Sequence, residues 1–341
     1  MADIAAIVAS LGGMAQKQQL VTRGARDLDL TMAVRRREVV RVRNGWYTTM
    51  DETDDAVRAV RVGGRLTGIS AISARGGWVL RRPAQLHVSI PVNSARLRTA
   101  TNRFRRLDVA AKGRVALHWD SRDLSERGTA TSVGLLDALF RVALDEDWET
   151  AIAAFDWALH TGQIEMFDVE VLALQLPARL RQLPNWVDAA CESLPESLAR
   201  TRLRLNGHTV RSQVRVGDQL DRIDLVVDEA VAVETDGEEF HIARFEPDRS
   251  KDLDITIDGW HGIRPAANHV FHDWPRVYRA VTSALAARGL ILRENSGVAP
   301  RHNVRGRRTT RKSAGTRQPT PEFPQNARES GEPAAIVPLR E

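Results

Sequence analysis

An apolar strand that ends in acids constrains this chain more than any other stretch. Val231 to His241 reads VAVETDGEEFH. Side chains in a strand alternate faces, so Glu234 and Asp236 share one side while Val231, Val233 and Thr235 take the other. Just upstream, Asp221 to Val227 (DRIDLVV) reads as a second strand, with Asp228, Glu229 and Ala230 as the hairpin loop between them. Pairing Val227 with Val231 sets Asp224 opposite Glu234 and Arg222 opposite Asp236, all four on one face. Carboxylates gathered this way repel one another unless they are protonated, spread apart or neutralised by a cation, and hard oxygen ligands favour Mg²⁺ or Mn²⁺. The spacing therefore predicts Asp224 and Glu234 within reach of a common ion, roughly 4 to 6 Å apart. The competing reading is a surface ion pair between these acids and Arg222 or Arg249.

The rest of the chain can support such a sheet. Its 341 residues suffice for two or three cores, and 43% apolar with 27% charged residues describes a globular protein. No apolar run reaches the 18 or so residues that suggest a membrane span, and the start MADIAAIVASLGG lacks the basic and apolar regions of a signal peptide, so the expected compartment is the cytoplasm. A single cysteine, Cys191, excludes intramolecular disulfides and cysteine-cluster zinc sites. The net charge of +5 resides in the ends: residues 295–341 carry nine Lys and Arg against four Asp and Glu, so residues 1–294 sum to zero, with residues 1–49 locally at +4. A nucleic-acid footprint is expected at these two ends.

Residues 3–11, 16–21 and 26–37 read as three short helices, followed by strands at 39–42 and 46–48 around Asn44-Gly45, the strongest short hairpin signal. This is a winged helix-turn-helix pattern over residues 1–50, with Arg35, Arg36, Arg37, Arg41 and Arg43 placed to hold DNA phosphates. A solvated basic face is the plainer alternative. Residues 51–189 read as a mixed, then helical connector without chemistry. It opens with an acidic linker at 51–55 and a short helix at 68–74, with strands at 85–91 and 115–119 and helical stripes from 132 to 183. His87 and His118 lie in those strands and read as structural histidines; His269 and His272 are too weakly spaced to argue for zinc. Residues 190–290 follow the order α-β-β-β-α-β-α. From 291 to 341 the chain holds six of the fourteen prolines and the run RGRRTTRK, the composition of a disordered basic tail.

The segments CESLPESLARTRLRLNG, RIDLVV, VAVETDGEEFH, FEPDRSKD and GWHGIR resemble an uncharacterised domain family related to very-short-patch repair endonucleases, within the PD-(D/E)XK nuclease superfamily. The resemblance covers about residues 190–288. LVTRGARDLDLTMAVRRREVVRVRNGWYTT resembles the winged-helix domain of AbiEi-like type IV antitoxins. The fold class implied is α/β: an N-terminal winged helix, a mixed helical connector and a restriction-endonuclease-like core. Asp224 would correspond to the metal-binding aspartate and Glu234 to the acid of the following strand. Asp236 stands where the superfamily most often has lysine, so activation of water would fall to the metal or to His241. The resemblance also places Glu196 near the acids, whereas Ser193-x-x-Glu196 is a capping box that accounts for the glutamate by itself. Asp248 and Asp252 share a helix face and read as solvated charges or as contacts to the water shell.

Two functions follow as expectations. One is a Mg²⁺- or Mn²⁺-dependent endonuclease that the winged helix delivers to DNA. The other is a non-catalytic DNA-binding regulator of antitoxin type, with a toxin protein as partner and a degenerate nuclease fold. No phosphate-binding glycine loop, HExxH or nucleophile elbow points to another enzyme class.

Overall fold

A computed structural model describes residues 2–108, 113–120, 127–217, 221–235 and 245–289. Asp3 opens α1 (Ile4–Ser10) by accepting the Ala6 N–H at 2.9 Å, and Ile4 and Val8 face inward. A strand absent from the sequence expectation, β1 (Met14–Gln16), comes next, then α2 (Lys17–Thr22) and α3 (Asp27–Arg35). The expected hairpin is β2 (Val40–Arg43) and β3 (Trp46–Thr48), turning at Gly45, whose φ of +78° requires glycine's freedom. β1 adds to it, giving an antiparallel sheet in the order β1-β3-β2.

The acidic segment after Thr48 is not only a linker. Asp54 accepts the Ala56 N–H at 2.7 Å and starts α4 (Asp55–Val62), which buries Val57, Val60 and Val62. There follow β4 (Arg65–Leu66), α5 (Gly68–Ala74), β5 (Leu86–Pro91) and β6 (Val115–Asp120), with β5 central, antiparallel to β4 and parallel to β6. The helical run resolves into α6 (Leu135–Asp145), α7 (Trp148–His160) and α8 (Met166–Gln175). One continuous core joins sheet and helices through Ile72, Ile90, Leu139, Ile152 and Phe155.

The third region begins with α9 (Leu194–Leu205), then β7 (Val210–Arg215), β8 (Arg222–Val227), β9 (Val231–Val233), α10 (Phe245–Ile257), β10 (His261–Ile263), α11 (Ala267–His272) and α12 (Trp274–Ala287). The element order agrees with expectation except for α11, which was not anticipated. The sheet runs β10-β9-β8-β7, with β10 parallel to β9 and the other pairs antiparallel. Both faces are covered. Leu198, Leu225, Val227, Val233 and Val281 pack on one side, and Val226, Ala232 and Ile255 of α10 on the other. No helix among the described residues is long and apolar enough to cross a membrane. The expected tail lies outside the described residues.

A buried polar clasp joins the second region to the third. Asp156 of α7 is fully buried; its carboxylate accepts the Ser197 hydroxyl at 2.6 Å, the Arg200 guanidinium at 2.9 Å and the Asp188 N–H at 2.7 Å. Arg200 also donates to the Trp186 carbonyl at 2.6 Å, and on the rim Arg202 meets Glu149 at 2.8 Å. Burial pushes the Asp156 carboxyl up to about 6 despite the attraction of Arg200. Removing one partner of such a pair strands the other in a dry interior. Asp156→Ala should therefore cost about 3 to 5 kcal/mol in urea unfolding, whereas Arg36→Ala on the surface should stay within about 0.5 kcal/mol. Because the folded pKa is raised, the Asp156 contribution is complete below about pH 4 and is lost as pH rises through about 6. The stability of the wild type relative to Asp156→Asn should fall across that window; a rise would mean a depressed pKa.

Candidate active site

The predicted hairpin register is present. Val227 pairs with Val231, Val226 with Ala232 and Leu225 with Val233. Asp224 and Glu234 stand one step further along the two strands, at the end of the ladder. The Asp224 N–H donates to Glu234 Oε1 at 3.1 Å, and the Glu234 N–H donates to the Ile263 carbonyl of β10 at 2.9 Å. Thr235 departs from expectation. The ladder stops at Val233, so alternation no longer holds, and the Thr235 N–H and hydroxyl both turn to Asp224 Oδ2 at 2.7 and 3.2 Å.

Glu196 takes part in the helix cap and lies beside the acids. Ser193 caps α9, accepting the Glu196 N–H at 3.4 Å, while its hydroxyl donates to Glu196 Oε1 at 2.7 Å. The reciprocal backbone donor is the Glu192 N–H, at 3.0 Å from Oε2. The same carboxylate is only 6% exposed and lies close enough to Asp224 for the two charges to repel. Gln213 of β7 is directly across from Asp224 in the antiparallel register and donates to Glu196 Oε2 at 3.2 Å. Its φ of +52° is a strained setting for a non-glycine residue inside a strand, and strain of this kind clusters at functional sites.

Among the described residues, the cation that meets these acids is Lys251, on α10, whose Nζ donates to Glu234 Oε2. It is not Arg222, which is exposed; the Arg249 side chain, with Asp236, His241 and the Asp248 side chain, lies outside the described residues. Asp252, the other acid on that helix face, pairs with Arg264 at 2.7 Å. Lys251 and Gln213 are the residues that reading the sequence overlooked. The lysine lies within the FEPDRSKD stretch, but nothing local marks it as facing a strand 17 positions away.

All three acids are held above the ordinary carboxylate range. For Asp224 the cause is burial, for Glu196 burial and then the nearby Asp224, and for Glu234, pushed up to about 7, burial and then Asp224. Among the described residues, one lysine, Lys251, meets Glu234 and lies near the half-buried Asp224. A cation beside Asp224 and Glu234 would relieve their repulsion.

No protein-family model matches this chain, and no curated protein matches it either. The site therefore rests on its own geometry.

The predicted DNA-contacting arginines divide. Arg35, Arg36, Arg37 and Arg41 are exposed, at the end of α3 and on β2, and Arg37 adopts a φ of +60° at the turn. Arg43 is instead half-buried, its guanidinium directed to the Val60 carbonyl of α4 at 3.5 Å, and burial lowers its pKa. Arg103, not anticipated, is half-buried beside them, donating to the Arg41 carbonyl at 3.1 Å and lying over the exposed Phe104 ring.

These contacts fix the sign of two substitutions. In carboxyl-resolved NMR titrations, Asp224→Asn should lower the Glu234 pKa from about 7 by removing a like charge. Lys251→Met should raise it by removing the donor that favours the ionised form.

Proposed function

We propose that the chain is a divalent-cation-dependent endonuclease that hydrolyses DNA phosphodiesters, brought to duplex DNA by its N-terminal winged-helix module. The observation that carries this reading is Lys251 on Glu234, beside Asp224 and Glu196: three acids and one lysine converging at the end of a hairpin. On this reading Lys251, from the helix that follows, would stand in for the lysine that the resemblance puts at the position of Asp236.

Asp224 and Glu234 would hold Mg²⁺ or Mn²⁺, with Glu196 adding negative charge beside them. When bound, such a cation lowers the pKa of a water and takes up charge from the scissile phosphate. The protein's own residues do the rest. Lys251 has two further N–H donors to offer a phosphate oxygen or the attacking water, and Thr235 keeps the Asp224 carboxylate from rotating. Gln213 and the Ser193 cap keep Glu196 aimed at Asp224.

Supercoiled plasmid incubated with Mg²⁺ or Mn²⁺ tests the reading. Nicking by the wild type should fall by roughly 100-fold or more in Asp224→Asn, Glu234→Gln and Lys251→Met, since each removes a preorganised charge from the reacting centre. An absence of cleavage across single- and double-stranded substrates, with DNA binding retained, would instead leave a regulator of antitoxin type with a toxin partner. Binding supplies a separate check. Replacing Arg35, Arg36, Arg37 and Arg41 by alanine should weaken duplex binding and flatten its salt dependence by about 0.9 in log–log slope for each phosphate that is no longer neutralised. Arg43→Ala should act on stability rather than on that slope.

A further inference from the structure

The second region, which reads as a connector, contains a converging pair of histidines. In the parallel β5–β6 register His87 lies beside Ala116 and Ser89 beside His118, so both imidazoles project from one sheet face as diagonal neighbours. α6 ends above them, bringing Asp145 and then Glu146 to the same place. His87 Nδ1 and His118 Nε2 face each other at 3.3 Å. Two nitrogens bound to one tetrahedral zinc, each at about 2.0 to 2.1 Å, are about 3.3 to 3.4 Å apart.

The outer nitrogens have acidic neighbours. His118 Nδ1 is 3.5 Å from Asp145 Oδ2, and His87 Nε2 is 4.0 Å from Glu146 Oε1. At this spacing the inner nitrogens either share a proton or hold one metal ion, and Glu146 stands on the outer side of His87. One nitrogen of each ring and one Asp145 oxygen lie within 4.8 Å of one another. Arg141 also approaches, but it meets Asp120 at 3.4 Å and Asp145 at 3.9 Å, so one arginine stands among three acids. Gly68, at a φ of +51°, keeps the space beside the His87 nitrogen open: a Cβ there would lie 3.3 Å from Nδ1. The histidines, Asp145 and Glu146 line a cavity of about 640 Å³.

We infer that His87, His118 and Asp145 form a zinc-binding site, separate from the carboxylate cluster, with Glu146 orienting His87 and a remaining coordination position open to the cavity. Nitrogen donors select Zn²⁺ here, as the all-oxygen set at Asp224 selects Mg²⁺ or Mn²⁺. The two sites therefore take different ions.

The test is competition for Zn²⁺ between a chromophoric chelator and the full chain, after metal removal and with excess Mg²⁺ present. The wild type should take up one Zn²⁺ per chain with a rise in Tm. His87→Ala and His118→Gln should abolish that uptake, Glu146→Gln should weaken it by about 10- to 100-fold, and Asp224→Asn should leave it unchanged. Co²⁺ added to the unaltered chain gives a readout that does not depend on whether a variant folds, and should produce the visible absorption of a tetrahedral site. No stoichiometric Zn²⁺ uptake, no such band, or uptake that survives in both folded histidine variants would overturn the inference and leave a proton shared between the rings.

Discussion

The buried contact of Asp156 with Ser197 and Arg200 is the constraint on which the rest of the molecule depends. It joins α7, in the core of the second region, to α9, the helix that opens the third. α9 has two tasks. Its Leu198 and Leu203 seal one face of the last sheet, and its first turn presents Glu196 to Asp224. A hydrophobic contact alone would allow α9 to slide or rotate at small cost. A carboxylate that accepts three directed donors in a dry interior has one good position, and a shift would strand a charge.

The carboxylate cluster beside the first turn of that helix is destabilising by itself. Burial and mutual repulsion hold Asp224, Glu196 and Glu234 above their ordinary pKa values, and Gln213 sits in a strained backbone setting across from them. The sheet tolerates this because its apolar faces are sealed by α9 and α12 on one side and α10 on the other. Lys251 offsets part of the repulsion. A fold can concentrate unfavourable charge at one point when a strong core supports it, and perturbed carboxylates of this kind cluster at functional sites.

The chain thus distributes its chemistry over its regions. Exposed arginines cluster at the end of α3 and on β2, oxygen donors collect on the β8–β9 hairpin, and nitrogen donors meet on the β5–β6 pair. Each cluster uses a different physical means: surface charge that salt screens, buried acids that await a counter-charge, and imidazoles brought to a coordination spacing.

Much of this could be read from local pattern. The alternation in DRIDLVV and VAVETD, with a short loop between them, determined the register that sets Asp224 against Glu234, because a one-residue slip would turn every apolar side chain to the wrong face. Asn44-Gly45 marked its hairpin, and Ser193 with Glu196 marked the start of α9. Other features depend on approach between distant segments. β1 is too short to announce itself and exists only because β3 offers an edge; Arg43 turns inward because α4 packs beside it; Thr235 turns to Asp224 because the ladder ends at Val233. Lys251 reaches Glu234, and His87 meets His118, only through the packing of a helix on a strand and of one parallel strand on another. The sequence by itself determined which strands pair and that Asp224 and Glu234 meet at the end of their hairpin, since strand periodicity is a local property of the backbone. Only the tertiary structure decided which cation meets those acids and which histidines converge, because side chains far apart in sequence become neighbours through the burial of surfaces between them.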